Sequence, residues 1–281
     1  MPDLVTRIEA NAAALSPAER LVAEVILADP AAAAFATVAQ LGRQAGTSGA
    51  TVVRLAERLG YDGWVGLQAD ARAGVGQALR PARVRIREAV ARDVLAETAE
   101  READNVHRTL AAVDRDAFER AAGHLADPKR SVIIVAGDAE AGVGTFLADG
   151  LDLLRPGVRR VAGPMPAVAR AMAHLAPGDV LVAVDLRRYE SWVLDAVALA
   201  TARGAVVIAI TDTVLSPLAQ AADATFTVAA EGTGPFDSHV GTLALANALS
   251  SAVARRLRRP AAARLDRVEQ AWEATGALRS E

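Results

Sequence analysis

Thr51, Arg54 and Arg58, spaced i, i+3 and i+7, set a hydroxyl and two guanidinium groups along one side of a helix predicted from Ser48 to Leu59. Val52, Leu55, Ala56 and Leu59 fall on another side, as the apolar stripe that a small helical core would cover. Gly49 and Ala50 are small enough to let the N-terminal end of this helix approach base edges. There Thr51 can hydrogen-bond a base or a phosphate, and Arg54 can pair bidentately with guanine. The preceding segment, Thr37-Val38-Ala39-Gln40, is a capping box that opens a helix running to about Ala45, and Gly46 breaks it ahead of Thr47 and Ser48. Two helices joined by a short glycine turn form the helix-turn-helix pattern, whose second helix enters the major groove. Free N–H groups at the ends capped by Thr37 and Ser48 can receive phosphate oxygens. The expected contacts to a duplex DNA operator are therefore Thr37, Thr47, Ser48, Gly49, Ala50, Thr51, Arg54 and Arg58. The alternative is a helix pair used only for packing or protein contact.

Around that reading head, the chain separates into two kinds of element. Ser16-Pro17-Ala18-Glu19 is a further capping box, followed by Leu21, Val22, Val25 and Ile26 at helical spacing, and Asp29-Pro30 ends the segment. From about Ala82 to Ala126 the pattern is helical, with one break near Val113-Asp114. Beyond Pro128 come short β-branched runs at Ser131–Ala136, Val180–Val184, Val206–Ile210 and Ala224–Val228, with a weaker one at Val158–Val161. Short apolar strands alternating with helices predict a parallel sheet covered on both faces. Ser238–Leu257 and Ala261–Thr275 read as closing helices. The expected fold is an all-α helix-turn-helix domain followed by an α/β domain. Its divisions are residues 1–80, a helical linker and first effector helix at 81–126, the α/β domain at 127–260, and a terminal helix at 261–281.

Composition narrows the function classes. The 281 residues carry a net charge of -3 and no cysteine, which excludes disulfides, thiolate metal sites and a cysteine nucleophile and fits a reducing cytosol. The start of the chain has no signal-peptide pattern, and the longest weakly charged stretch, Val161–Gly178, is broken by Pro164, Pro166 and Arg170, so no membrane span is expected. Six arginines between Arg72 and Arg92 face Glu88 alone, and a second basic run occupies Arg255–Arg267. Such runs are either solvated helix faces or phosphate-attracting surfaces. His107, His124 and His174 lack ligand spacing, so no metal and no cofactor are expected. Trp64, Trp192 and Trp272 are isolated and read as packing residues.

Leu15-Ser16-Pro17-Ala18-Glu19-Arg20, Val38-Ala39-Gln40-Leu41, Ala45-Gly46-Thr47-Ser48, Ala50-Thr51-Val52-Val53-Arg54 and Leu59-Gly60-Tyr61-Asp62-Gly63-Trp64 resemble the N-terminal domain of the RpiR/MurR family of bacterial regulators. The second half is similar to the sugar-isomerase (SIS) domain that follows it in that family, chiefly through Val206–Asp212, Leu215–Ala219, Ala222-Asp223 and the helix after Ser238. The resemblance implies a five-stranded parallel sheet whose loops hold a phosphorylated sugar. It also implies two glycines and a serine after the first strand, and a serine pair with glycine after the third. Here those loops read Gly137-Asp138-Ala139-Glu140-Ala141 and Asp185-Leu186-Arg187-Arg188-Tyr189-Glu190-Ser191. The hydroxyls are gone, acids repel an anion near helix N-termini, and Arg187 and Arg188 offer bidentate compensation.

The expected effector site is Gly137, Asp138, Ala139, Glu140, Arg187, Arg188, Tyr189, Thr211 and Ser238, at strand ends where open parallel sheets bind ligands. The expected ligand is a sugar phosphate or sugar acid. Together these readings describe a cytoplasmic DNA-binding regulator, not an enzyme, acting as a homodimer or tetramer. Two alternatives remain: an isomerase or lyase using Glu140, Glu190 or His239 as base, and a regulator whose α/β domain only dimerises.

Overall fold

Capping chemistry sets the boundaries of the N-terminal helices. The computed structural model describes residues 4–28, 33–34, 36–78, 86, 93–214 and 216–277. It divides into two units, Met1–Val84 and Arg85–Glu281. In the first, α1 (Leu4–Asn11) and a 3-10 turn lead to α2 (Pro17–Ala28), α3 (Val38–Gln44), α4 (Gly49–Arg58) and α5 (Gly63–Ala78). Ile8, Val22, Ile26, Leu41, Val52, Leu55 and Leu67 make the core. The expected stop at Asp29-Pro30 lies outside the described residues, as do all of the arginines from Arg80 to Arg92. Gly42 sets the approach of α3 to α4, because a Cβ there would come within 2.8 Å of the Ser48 carbonyl carbon.

The second unit opens with α6 (Val94–Ala111) and α7 (Arg115–Ala126). Helix α6 starts at the cap Asp93, which is extended (φ -131°, ψ 92°) and whose carboxylate accepts from the N–H groups of Leu95 and Ala96; apart from Ile86, the stretch read as helix from Ala82 up to it lies outside the described residues. An N-cap aspartate is worth about 1 kcal/mol of helix stability. Helix α6, read as linker, packs on the long last helix of this unit. Its buried Asn105 pairs with both backbone groups of Glu231, and Thr109 accepts from the Ala229 N–H.

The sheet follows as β1 (Val132–Ala136), α8 (Ala141–Leu154), β2 (Val158–Arg160), α9 (Met165–Ala173), β3 (Val180–Val184), α10 (Ser191–Ala202), β4 (Val206–Thr211), α11 (Pro217–Gln220), β5 (Ala224–Thr227) and α12 (Val240–Thr275). The order is β2-β1-β3-β4-β5, with every pair parallel. Every residue of β1 and β3 is buried, as a sheet covered on both faces requires. Ile134, Val182 and Ile208 face α7, α8 and α12, while Ile133, Leu181 and Val207 face α9 and α10. The two expected closing helices run as one, kinked at Arg258 (φ 13°, ψ -84°). Pro260 explains the kink, since it lacks an N–H and its ring crowds the carbonyl four residues back.

Beneath the sheet, at the N-terminal ends of its strands, Arg155 is 1% exposed. Its guanidinium donates to the carbonyls of Leu125 (2.9 Å), Asp127 (2.8 Å), Pro156 (2.9 Å) and Arg130. Burial, the largest influence, holds its pKa below the usual arginine value.

Candidate nucleic-acid interface and ligand crevice

Ser48 caps α4, its hydroxyl accepting from the Thr51 N–H. Thr51 is 4% exposed, so it is not part of the outward edge expected from its spacing. Side chains in a helix lean toward its N-terminus, and a first-turn residue therefore points back over the cap. The Thr51 hydroxyl lies 3.1 Å from that of Ser48 and accepts from the Arg54 guanidinium at 3.2 Å. It orients the arginine. Thr47 also turns inward, with both its N–H (2.7 Å) and hydroxyl (3.5 Å) directed to the Gly42 carbonyl. Thr37, Ser48, Ala50, Arg54 and Arg58 are exposed and Gly49 is partly so. Thr37 forms the expected capping box with Gln40.

Arg58 has a second partner that its spacing did not reveal. It pairs with Glu19 on α2 at 3.1 Å, and Glu19 also accepts from the Ser16 N–H at 2.8 Å. Burial pushes the Glu19 carboxyl up, but the hydrogen bonds from Ser16 and Arg58 outweigh it and hold the pKa below the usual carboxylate value. One carboxylate thus caps α2 and ties it to α4. The remaining outward groups of α4 centre on Ala50, Arg54 and Glu57, and Arg43 of α3 is also exposed.

In the second unit the chain leaves β1 toward one face of the sheet and β3 toward the other, which opens a crevice between their carboxyl ends. Gly137, Glu140, Asp185 and Glu190 meet there. A Cβ on Gly137 would fall 2.6 Å from Glu140 Oε2 and 2.8 Å from Asp185 Oδ1, so a side chain there would have to displace both carboxyl groups. Asp185 accepts from the Glu190 N–H at 2.7 Å. The Glu190 carboxylate in turn accepts from the Asp138 N–H and the Trp192 indole N–H, both at 2.5 Å. The crevice therefore already holds a carboxylate in its donors. Burial, then the Asp185 charge, pushes the Glu140 carboxyl up to about 8, and burial with the nearby Glu190 raises Asp185 to about 6.

Arg187 is a non-glycine residue at φ 60°, held there by its N–H on Asp212 (3.0 Å) and its guanidinium on Asp237 (2.8 Å). Tyr189 donates to the same Asp212 at 2.8 Å, and burial with that carboxylate raises the phenol pKa. Thr211 is buried and its hydroxyl donates to Asp212 at 3.4 Å. Ser238 is 8% exposed; its hydroxyl donates to Glu102 and accepts from the Val240 N–H at 3.2 Å. Asp138, Ala139 and Arg188 are exposed. Thus the expected effector residues gather at the ends of β1, β3 and β4, but Arg187 and Ser238 are committed to internal partners. The spacing gave no hint of Asp212 and Asp237, whose partners lie 25 and 50 residues earlier in the chain. His239 lies beside this site with Nδ1 unpartnered, and burial lowers its pKa. No group of three His, Asp or Glu among the described residues could hold a metal, and no described helix is long and apolar enough to cross a membrane.

A helix-turn-helix head followed by a parallel α/β domain with a strand-end crevice defines a class: DNA-binding proteins with an attached sensor-type domain. The description "helix-turn-helix domain, rpiR family" matches residues 3–71, and "SIS domain" matches residues 124–252. Among solved structures, the sugar isomerase domain of an RpiR transcription factor from Sphaerobacter thermophilus is 28% identical, with a TM-score of 0.58 over 64% of this chain and 99% of that one. The Vibrio vulnificus NanR protein complexed with ManNAc-6P is 23% identical, with a TM-score of 0.58 over 96% of this chain and 98% of that one. A candidate sugar-phosphate isomerase from Listeria monocytogenes is 16% identical, with a TM-score of 0.53 over 59% and 90%. Comparison with curated proteins gives no match. The chain thus joins an rpiR-family helix-turn-helix domain to a SIS domain.

Proposed function

We propose that this RpiR-type regulator reads duplex DNA through the exposed edge of α4 and senses a carbohydrate-derived metabolite in the SIS crevice. The observation that carries the reading is the union, in one chain, of an rpiR-family head and a SIS domain. Arg54, held by Thr51, is the base-reading side chain, and Ser48, Gly49 and Ala50 are the close-approach surface. The crevice is rich in hydrogen-bond acceptors, which suits the hydroxyls of a sugar. Its carboxylates outnumber its arginines, so a phosphate or acid group on the ligand belongs at its rim, on the exposed Arg188. The occurrence of ManNAc-6P in the NanR complex supports a phosphorylated sugar.

The isomerase reading draws on Glu140 and His239. Glu140 is enclosed by Gly137 and Asp185 and keeps its proton at neutral pH, which suits a hydrogen-bond donor better than a base. The regulator is therefore taken as non-enzymatic. The test is calorimetry of the full chain against sugar phosphates, sugar acids and neutral sugars, with each binder then followed for conversion by chromatography. Binding without turnover, accompanied by a change in DNA affinity, is expected. Turnover of a binder would establish the isomerase instead.

A further inference from the structure

Away from the crevice, the open edge of the sheet carries a second concavity of about 430 Å³, lined by Arg159, Arg160, Arg170, His174 and the small residues Ala167 and Ala171. That volume is within the range of roughly 300–1,000 Å³ usual for small-molecule sites. Its construction follows from spacing. Ala167, Arg170, Ala171 and His174 fall at i, i+3, i+4 and i+7, so one face of α9 and its continuation turns toward β2. The two alanines leave the space, and Arg159 and Arg170 stand beside it. Arg159 is anchored on the Ala171 carbonyl at 3.5 Å.

No carboxylate lines this concavity, and among the described residues none of its three arginines forms an ion pair, whereas Arg58, Arg108, Arg130, Arg187, Arg256 and Arg264 all do. Arg160 sends its guanidinium to the opposite face of the sheet, against Gly144 of α8, so the cationic groups of the concavity are Arg159 and Arg170, which lack a counter-charge that an anion would supply. Arginines on an edge strand also discourage strand pairing, but this accounts only for Arg159 and Arg160 and not for Arg170 of α9.

We propose that the pocket between β2 and α9 binds a small phosphorylated metabolite through Arg159 and Arg170. The site is separate from the SIS crevice and does not depend on the reading of it. Guanidinium forks match the paired oxygens of phosphate, and the small-residue walls of the concavity leave room for a compact ligand.

Calorimetry of the full chain with inorganic pyrophosphate tests this, because pyrophosphate has no sugar and is repelled by the carboxylates of the crevice. Binding is expected to fall at least tenfold in Arg159→Ala/Arg170→Ala and in Ala167→Glu, which sets a carboxylate in the pocket. It is expected to persist in Arg188→Ala. All these side chains are exposed or partly so, and unchanged melting temperatures verify folding. Absence of pyrophosphate binding, equal binding by the pocket variants, or loss in Arg188→Ala alone would overturn the proposal. So would loss of affinity for non-specific duplex DNA in the pocket variants while pyrophosphate binding is retained, since the surface would then contact a nucleic acid backbone.

Discussion

Glu140 and Glu19 are both buried carboxyls, yet their surroundings drive them in opposite directions. Glu140 sits among Asp185, Glu190 and Asp237, and its folded pKa of about 8 is above the unfolded value. The native SIS domain therefore binds more protons than the unfolded chain, and stability falls as pH rises from about 4.5 to about 8. Thermal unfolding of Glu140→Gln should lose most of that slope and, at pH 8.5, melt on the order of 5 °C above wild type. An unchanged slope would mean that Glu140 is not the buried acid described. Glu19, whose pKa is lowered, contributes stability above the unfolded carboxylate value, which is lost as pH falls through the folded one. Arg188 and Arg187 separate binding from folding in the same manner. Arg188→Ala should weaken an anionic carbohydrate ligand at least tenfold with no change in melting temperature, whereas Arg187→Ala should also lower the melting temperature because the partly buried Arg187–Asp237 ion pair is lost. Calorimetry alongside thermal unfolding distinguishes the two. Equal effects of both variants on stability would refute the distinction.

At the scale of elements, β-branched runs and caps were legible because they are local. The strands at Val180–Val184 and Ala224–Thr227, and the caps at Thr37, Ser48 and Asp114, follow from residues within one turn or one run. Side-chain commitments that cross the chain were not. The partner of Arg58 is 39 residues away, three of the four carbonyls held by Arg155 lie 25–30 residues before it, and Asp237 is 50 residues beyond Arg187. Thr51 shows a subtler limit. Its spacing put it on the face of Arg54, but the backward lean of helical side chains turned it onto the cap. The crevice was placed by topology, since the strand order fixes the β1/β3 switch point, yet its occupation by Glu190 depends on loop conformation that no period encodes. The tie between α2 and α4 predicts that Glu19→Ala destabilises the helical head by about 1–3 kcal/mol, through the lost cap and an unpartnered Arg58. Denaturant unfolding of the full chain, followed at Trp64, measures this, and a change below about 0.5 kcal/mol would refute the tie.

For the whole molecule, α12 places Leu245, Ala246, Leu249 and Val253 against the sheet. The proposal of a homodimer rests on operator symmetry, since helix-turn-helix proteins commonly read half-sites one helical turn apart, or a multiple of it, under a two-fold axis. Analytical ultracentrifugation should give a dimer or larger species at micromolar concentration, and a monomer both with and without operator would exclude it.

The central claim, that α4 reads DNA through Arg54, is tested most directly by selecting genomic fragments on the full-length protein and measuring anisotropy of the enriched duplex. Wild type should enrich a two-fold symmetric sequence, and Arg54→Ala should bind it with a loss of about 1–3 kcal/mol per head and with relaxed preference at one base position in each half-site. Failure to enrich any sequence, or equal affinity and selectivity in Arg54→Ala, would contradict the account.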